Sequence, residues 1–228
     1  MENRKHCVIT LDGPSGAGKS SVSKSLAKRL GISYLDTGAM YRALTLKALR
    51  LKVNLEDEAA LTALAQQTVI DFKEMPNEMM HVTLDGEDVA EAIRSTEVTN
   101  NTFYLARTAG VRELMVKWQR AIGQHCSIVT DGRDQGTVVF PQATYKFYVD
   151  ASIDERVGRR MRELQAAGKT VDFEALKKDM AERDHKDFTR AVGPLKKADD
   201  AIVIDSDGLS VDGTVDVLMK FIKQEVLS

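Results

Sequence analysis

Gly13-Pro14-Ser15-Gly16-Ala17-Gly18-Lys19-Ser20 satisfies G-x-x-x-x-G-K-[S/T] at every fixed position. The chemistry this spacing permits is polyphosphate binding. Glycines let the chain wrap so closely that successive backbone N–H groups point at phosphate oxygens. A helix starting at the end of the loop adds its positive N-terminal end. Lys19 is expected to reach the β- and γ-phosphates of a nucleoside triphosphate, and the Ser20 hydroxyl to ligate Mg²⁺. The donor-binding set is therefore Gly13, Pro14, Ser15, Gly16, Ala17, Gly18, Lys19, Ser20 and Ser21.

A second set of charged residues could serve an acceptor. Asp36-Thr37-Gly38-Ala39-Met40-Tyr41-Arg42 and Asp131-Gly132-Arg133-Asp134 each follow a short apolar run. In open α/β sheets, ligands bind beyond the carboxyl ends of the strands, where these segments fall. Arg183, Asp187 and Arg190, three or four apart, share one helix face or its end; a solvated ion-paired face is the alternative. Arginines suit a phosphoryl acceptor because the transition state spreads negative charge over the phosphoryl oxygens. The sequence has no Asn-Lys-x-Asp guanine-reading motif and no Leu-Ser-Gly-Gly-Gln transporter signature. A small-molecule kinase fits better than a GTPase or a transporter ATPase, and a non-catalytic nucleotide switch has no use for the second charged set.

The elements that must position these groups alternate. Buried strands are expected at Cys7–Asp12, Ile32–Leu35, Ser127–Thr130, Lys146–Val149 and Ala201–Ile204. Helices are expected at Ser21–Leu30, Tyr41–Leu51, Glu58–Gln67, Thr108–Ile122, Ile153–Ala166, Phe173–Asp187 and Val211–Val226. Val69–Lys73 and Met80–Leu84 interrupt the alternation as strands, the second running into the tight-turn pair Asp85-Gly86. The fold class is α/β: a five-stranded parallel sheet with helices on both faces, carrying a small β-rich insert.

Composition sets outer bounds. With 43% hydrophobic and 29% charged residues among 228, the chain suits one sizeable core. Lys+Arg at 32 against Asp+Glu at 34 gives a net charge of -2, so nucleic acid is not an expected partner. Cys7 and Cys126 read as reduced thiols, and the four histidines lack metal-ligand spacing. The polar start, Met1 to His6, and the lack of any apolar run near ~20 residues point away from a membrane and toward the cytoplasm. No heptad pattern argues for a dimer, so a monomer is expected.

On these residues the chain resembles the bacterial-type cytidylate kinases, nucleoside monophosphate kinases that phosphorylate CMP and dCMP with ATP. The resemblance runs over essentially the whole chain. It includes Leu84-Asp85-Gly86-Glu87-Asp88-Val89, Val111-Arg112-Glu113, Gly136-Thr137-Val138-Val139, Glu182-Arg183-Asp184, Pro194-Leu195 and Ala198-Asp199-Asp200-Ala201 besides the motifs above.

The resemblance implies a core of 1–67, 107–152 and 191–228, an NMP-binding insert at 68–106, and a lid with adjoining helices at 153–190. It implies that Asp36 and Thr37 belong to the CMP site, and that Arg42, Arg133 and Arg190 hold the CMP phosphate. Arg183 and Asp187 would meet the sugar hydroxyls, and Arg112 and Asp134 the cytosine. Catalysis would rest on Lys19, Arg133 and Arg190. One or more of Arg156, Arg159, Arg160 and Arg162 would close over ATP, and Asp131 would hold Mg²⁺ through water. One departure stands out: Phe103 occupies a position where the family usually has a serine near the base. A phenyl ring cannot make that hydrogen bond, so Thr102 or a water serves, or selectivity against another nucleotide such as UMP is looser.

Overall fold

The computed structural model describes residues 6–73 and 81–223. Five strands form the central sheet: β1 (Val8–Asp12), β2 (Ser33–Leu35), β6 (Ile128–Gly132), β7 (Tyr145–Asp150) and β8 (Ile202–Asp205). Their order is β2-β6-β1-β7-β8, with every pairing parallel. The strands that end at the phosphate loop and at Arg133-Asp134 are neighbours, with Asp12 in register with Gly132. The sequence segments expected to carry donor and acceptor groups therefore leave the same sheet edge side by side.

Alternation along the strands sends side chains to two cores. Cys7, Ile9, Leu11, Val129, Phe147 and Val149 pack against α1 (Lys19–Leu30) and α8 (Val211–Met219). Val8, Leu35 and Ile128 pack on the opposite side against α2 (Thr37–Arg50), α3 (Glu58–Gln66), α4 (Thr96–Arg107) and α5 (Ala109–His125). A strand buried on both faces needs apolar residues at successive positions, which is why the expected strands read as runs. β8 lies at the sheet edge.

The insert is a three-stranded antiparallel sheet of β3 (Ile70–Lys73), β4 (His81–Leu84) and β5 (Glu87–Asp88). Asp85 and Gly86 both take positive φ, 50° and 88°, as a two-residue hairpin turn requires. Val82, Leu84, Val89 and Ile93 close a third apolar cluster against Ala39 and Ala43 of α2.

Besides an extension of α5 past Ile122 to His125, three boundaries differ from expectation. The span 68–106 is only partly β: its second half is α4, capped by the Ser95 side chain accepting from the Val98 N–H. Thr96, Thr99, Asn100, Asn101 and Thr102 are weak helix formers, so tertiary contact with α2 decides the matter. α2 begins at Thr37 rather than Tyr41 because the Asp36 carboxylate accepts from the Ala39 N–H at 2.9 Å. α8 ends at Met219, while the expected helix end at Val226 lies outside the described residues, as do Met80 and Met1 to Lys5. The remaining helices, α6 (Ile153–Ala166) and α7 (Phe173–Thr189), pack on each other beside the phosphate loop. Among the described residues, no helix is long and apolar enough to cross a membrane.

Candidate active site

The phosphate loop follows its sequence pattern. Gly16 and Gly18 take φ of 78° and 81°, left-handed values that turn the chain back on itself, and Gly18 is the N-cap of α1. The Lys19 amine is buried and donates to the Pro14 carbonyl at 2.6 Å. Burial, with the nearby Arg133 charge second, lowers the Lys19 pKa to about 7. A lysine in that condition gains strongly from an anion placed against it. The Ser20 hydroxyl donates to Asp131 Oδ2 at 2.8 Å, and the Tyr34 hydroxyl donates to Oδ1 at 2.6 Å. Burial, with Asp36 close by, pushes the Asp131 carboxyl upward. Serine hydroxyl and carboxylate oxygens side by side are the hard donor set that suits Mg²⁺.

Across from the loop, four arginines each carry a carboxylate. Arg133 Nε donates to Asp187 Oδ2 at 2.6 Å, tying the end of β6 to α7. Arg42 Nη2 donates to Asp36 Oδ2 at 3.2 Å, and Arg42 Nε is buried without a hydrogen-bond partner among the described residues. Arg112 pairs with Asp134, both buried, and also donates to the Tyr41 hydroxyl at 3.3 Å. Arg190 lies 3.8 Å from Asp134 and 3.9 Å from Asp187, and donates to the Gly193 carbonyl. Burial raises the Asp134 pKa even against the charges of Arg112 and Arg190. Gly193, at φ 57°, closes over the Arg112–Asp134 pair so tightly that a Cβ there would collide with both side chains.

The cytidylate kinase profile matches residues 9–224. The chain belongs to the cytidylate kinase family. It is 47% identical to the cytidylate kinase of Desulforamulus reducens, over 96% of this chain and 98% of the relative. It is 48% identical to the cytidylate kinase of Anoxybacillus flavithermus, over 97% of this chain and 98% of the relative. A solved structure of an uncharacterized protein from Eubacterium ventriosum superposes with a TM-score of 0.52 at 15% identity, covering 96% of this chain and 98% of that one. That likeness concerns the fold alone.

Within this family frame, the structure gathers most of the expected residues. Arg133, Asp134, Arg112, Asp187 and Arg190 are linked by ion pairs. Arg183 keeps an exposed surface, and desolvation, then the Arg133 charge, lowers its pKa against the opposing pull of Asp187. Thr37 is buried and its hydroxyl donates to the Asp131 carbonyl at 2.9 Å. The four arginines expected in a lid divide. Arg156 is buried, donating to the Ser15 and Ala151 carbonyls at 2.9 and 3.0 Å and pairing with Asp184. Arg159 reaches the Ala17 carbonyl at 3.3 Å and the Ser206 hydroxyl at 3.1 Å. Arg160 and Arg162 are exposed, paired with Glu163 and Glu155 respectively.

Sequence reasoning passed over Asp12, Tyr34 and Tyr41. Asp12 accepts the Gln135 and Gly136 N–H groups at 2.9 and 2.7 Å, so the strand before the phosphate loop pins the turn after Asp134. Burial outweighs those two bonds and raises its pKa to about 6. Its available signal was a carboxylate ending an apolar strand directly before the first loop glycine.

Proposed function

We propose that the chain transfers the γ-phosphoryl group of ATP to CMP and dCMP, giving ADP and CDP or dCDP. The observation carrying this reading is that the Lys19 amine lies in the field of Arg133, so donor and acceptor anion sites adjoin on neighbouring strand ends. The acceptor oxygen of a nucleoside monophosphate is already anionic, so no strong base is needed. Placement and charge neutralisation supply the catalysis.

Lys19 and the loop from Gly13 to Ser21 hold the triphosphate, the Ser15 N–H being taken by Asp184 rather than by phosphate. Arg42, Arg133 and Arg190 hold the CMP phosphate, each exchanging part of a carboxylate contact for it. Arg183 and Asp187 address the sugar, while Asp36 and Thr37 shape the near wall. Asp134, oriented by Arg112, accepts from the exocyclic amino group of cytosine. Uracil offers a carbonyl there and would leave that carboxylate unpaired and repelled. Because Gly193 covers this pair, base entry requires the turn after Arg190 to lift. Residues 68–106 and 153–190 close over the nucleotides and keep water from the γ-phosphoryl group.

Ser20 and Asp131 are the residues that fit Mg²⁺, Asp131 acting through water. When bound, the ion neutralises charge on the β- and γ-phosphate oxygens. An ADP-release assay across CMP, dCMP, UMP and AMP tests the reading: turnover with CMP and dCMP is expected, and faster turnover with UMP or AMP would overturn it.

A further inference from the structure

One face of α7 runs from the phosphate loop to the acceptor arginine. Met180, Asp184 and Asp187 recur at intervals of four and three, so they stand in one row on the helix. At the donor end, Met180 packs so closely on Gly16 that its Cε lies 2.7 Å from where a Cβ would sit. In the middle, Asp184 Oδ1 accepts the Ser15 N–H at 3.1 Å, while Oδ2 accepts from Arg156. Arg156 returns a bond to the Ser15 carbonyl at 2.9 Å. Ser15 is thus held through its N–H by one residue of a buried ion pair and through its carbonyl by the other. At the acceptor end, Asp187 holds Arg133 at 2.6 Å.

We propose that Asp184 is a positioning residue which, with Arg156, fixes the distance between the phosphate loop and the acceptor arginine. This inference rests on the reading of the site as an ATP:CMP phosphotransferase. A helix is stiff along its axis, and Asp184 and Asp187 are separated by three residues, a rise of about 4.5 Å. Any slip of the loop against α7 changes the gap between donor phosphorus and acceptor oxygen directly. Misplacement by 1 Å costs on the order of 10²-fold in rate. Neither Asp184 nor Arg156 needs to touch the reacting atoms for this. Asp184 offers two carboxylate oxygens, one for Ser15 and one for Arg156, a division an amide cannot reproduce because only one of its atoms accepts.

A ligand of fixed length reads the gap. The probe is adenosine joined to cytidine through five phosphates, compared with ATP and CMP bound singly by calorimetry. For Asp184→Asn, kcat should fall about 30-fold or more and the linked probe should weaken at least about tenfold. ATP and CMP taken singly should stay within about threefold of the wild type, because their own contacts are intact. Asp184→Glu keeps the charge but lengthens the arm, and should show the same pattern if the asparagine variant does not fold. Parallel weakening of probe, ATP and CMP, or an unchanged probe affinity, would overturn the inference. A wild-type chain that binds the probe no more tightly than ATP would instead overturn the CMP reading on which it stands.

Discussion

The donor and acceptor halves of the proposed site are built in opposite ways. The phosphate loop is one uninterrupted stretch, Gly13 to Ser20, whose groups are placed by the turn itself and by the strand and helix on either side. The acceptor half draws Arg42 from α2, Arg112 from α5, Arg133 and Asp134 from beyond β6, and Arg183, Asp187 and Arg190 from α7 and its end. Among the described residues, Lys19 has only the Pro14 carbonyl as its hydrogen-bond acceptor, whereas Arg42, Arg112, Arg133 and Arg190 each carry a carboxylate. Local geometry can hold a bare cation ready for an anion. Side chains gathered from distant elements need partners to fix their places before substrate arrives. The donor half should therefore be costly to function and cheap to fold, and the acceptor half costly to both.

Lys19→Ala tests the first statement most severely. Loss of a charged donor aimed at the transferring group should lower kcat/KM by about 10³-fold in the ADP-release assay. The melting temperature should not fall, because the burial that depresses the Lys19 pKa works against the folded state. A large drop in melting temperature would show that the loop depends on its lysine for shape.

Arg112→Ala tests the second. Among the described residues Asp134 would keep the 3.8 Å contact with Arg190 as its one ion pair and become a buried carboxylate with a poor partner. Breaking such a pair costs about 3–5 kcal/mol, a fall of roughly 10 °C in melting temperature for a chain of this size. Discrimination between CMP and UMP should narrow in the same variant. Unchanged stability would mean that the two halves are built alike after all.

The same contrast explains what could be read from sequence. The strands and the loop were legible because each is written in consecutive residues: an apolar run, a fixed glycine spacing, a helix with its apolar stripe. The acceptor residues could be nominated from their places after strands, and through family resemblance, but their pairing could not. Asp134 with Arg112 and Arg133 with Asp187 are 22 and 54 positions apart, and only the packing of α5 and α7 decides them. Asp184 could be named as part of a family motif, but its bond to Ser15, 169 positions away, was hidden for the same reason. Helix α4 was illegible on different grounds, since its Thr- and Asn-rich sequence follows contact with α2 rather than its own propensity.

The pH dependence of ATP binding offers a smaller effect on the donor side. Lys19 in the free protein has its pKa lowered to about 7, so at pH 8 most of it is neutral. A bound triphosphate favours the ammonium and raises that pKa, so binding must draw a proton from solution. At pH 8, calorimetry in buffers of different ionisation enthalpy should show net uptake approaching about one proton per ATP. Below pH 6 the lysine is already charged and its uptake should vanish. Proton release at pH 8 would contradict the buried, depressed lysine.

The smallest effect is expected at Phe103, the position where family resemblance leads one to expect a serine. Phe103 stands on α4, half exposed, with Arg107 at 5.4 Å and Lys186 of α7 at 5.9 Å from its ring centre. Those distances are within range for cation–π attraction, worth about 0.5–1 kcal/mol at an exposed site. The ring thus links the insert helix to the helix that carries Asp184 and Asp187. Phe103→Ser would exchange this link for a hydroxyl able to hydrogen-bond the base, a net gain of about 0.5–1.5 kcal/mol. The two changes oppose each other, so KM for CMP should fall by no more than about fivefold, with kcat nearly constant. Phe103→Ala separates them: it loses the link without gaining the hydroxyl, so its KM should rise by about two- to fivefold. If serine and alanine raise KM equally, the ring's bridge to α7 matters more than any contact with the base.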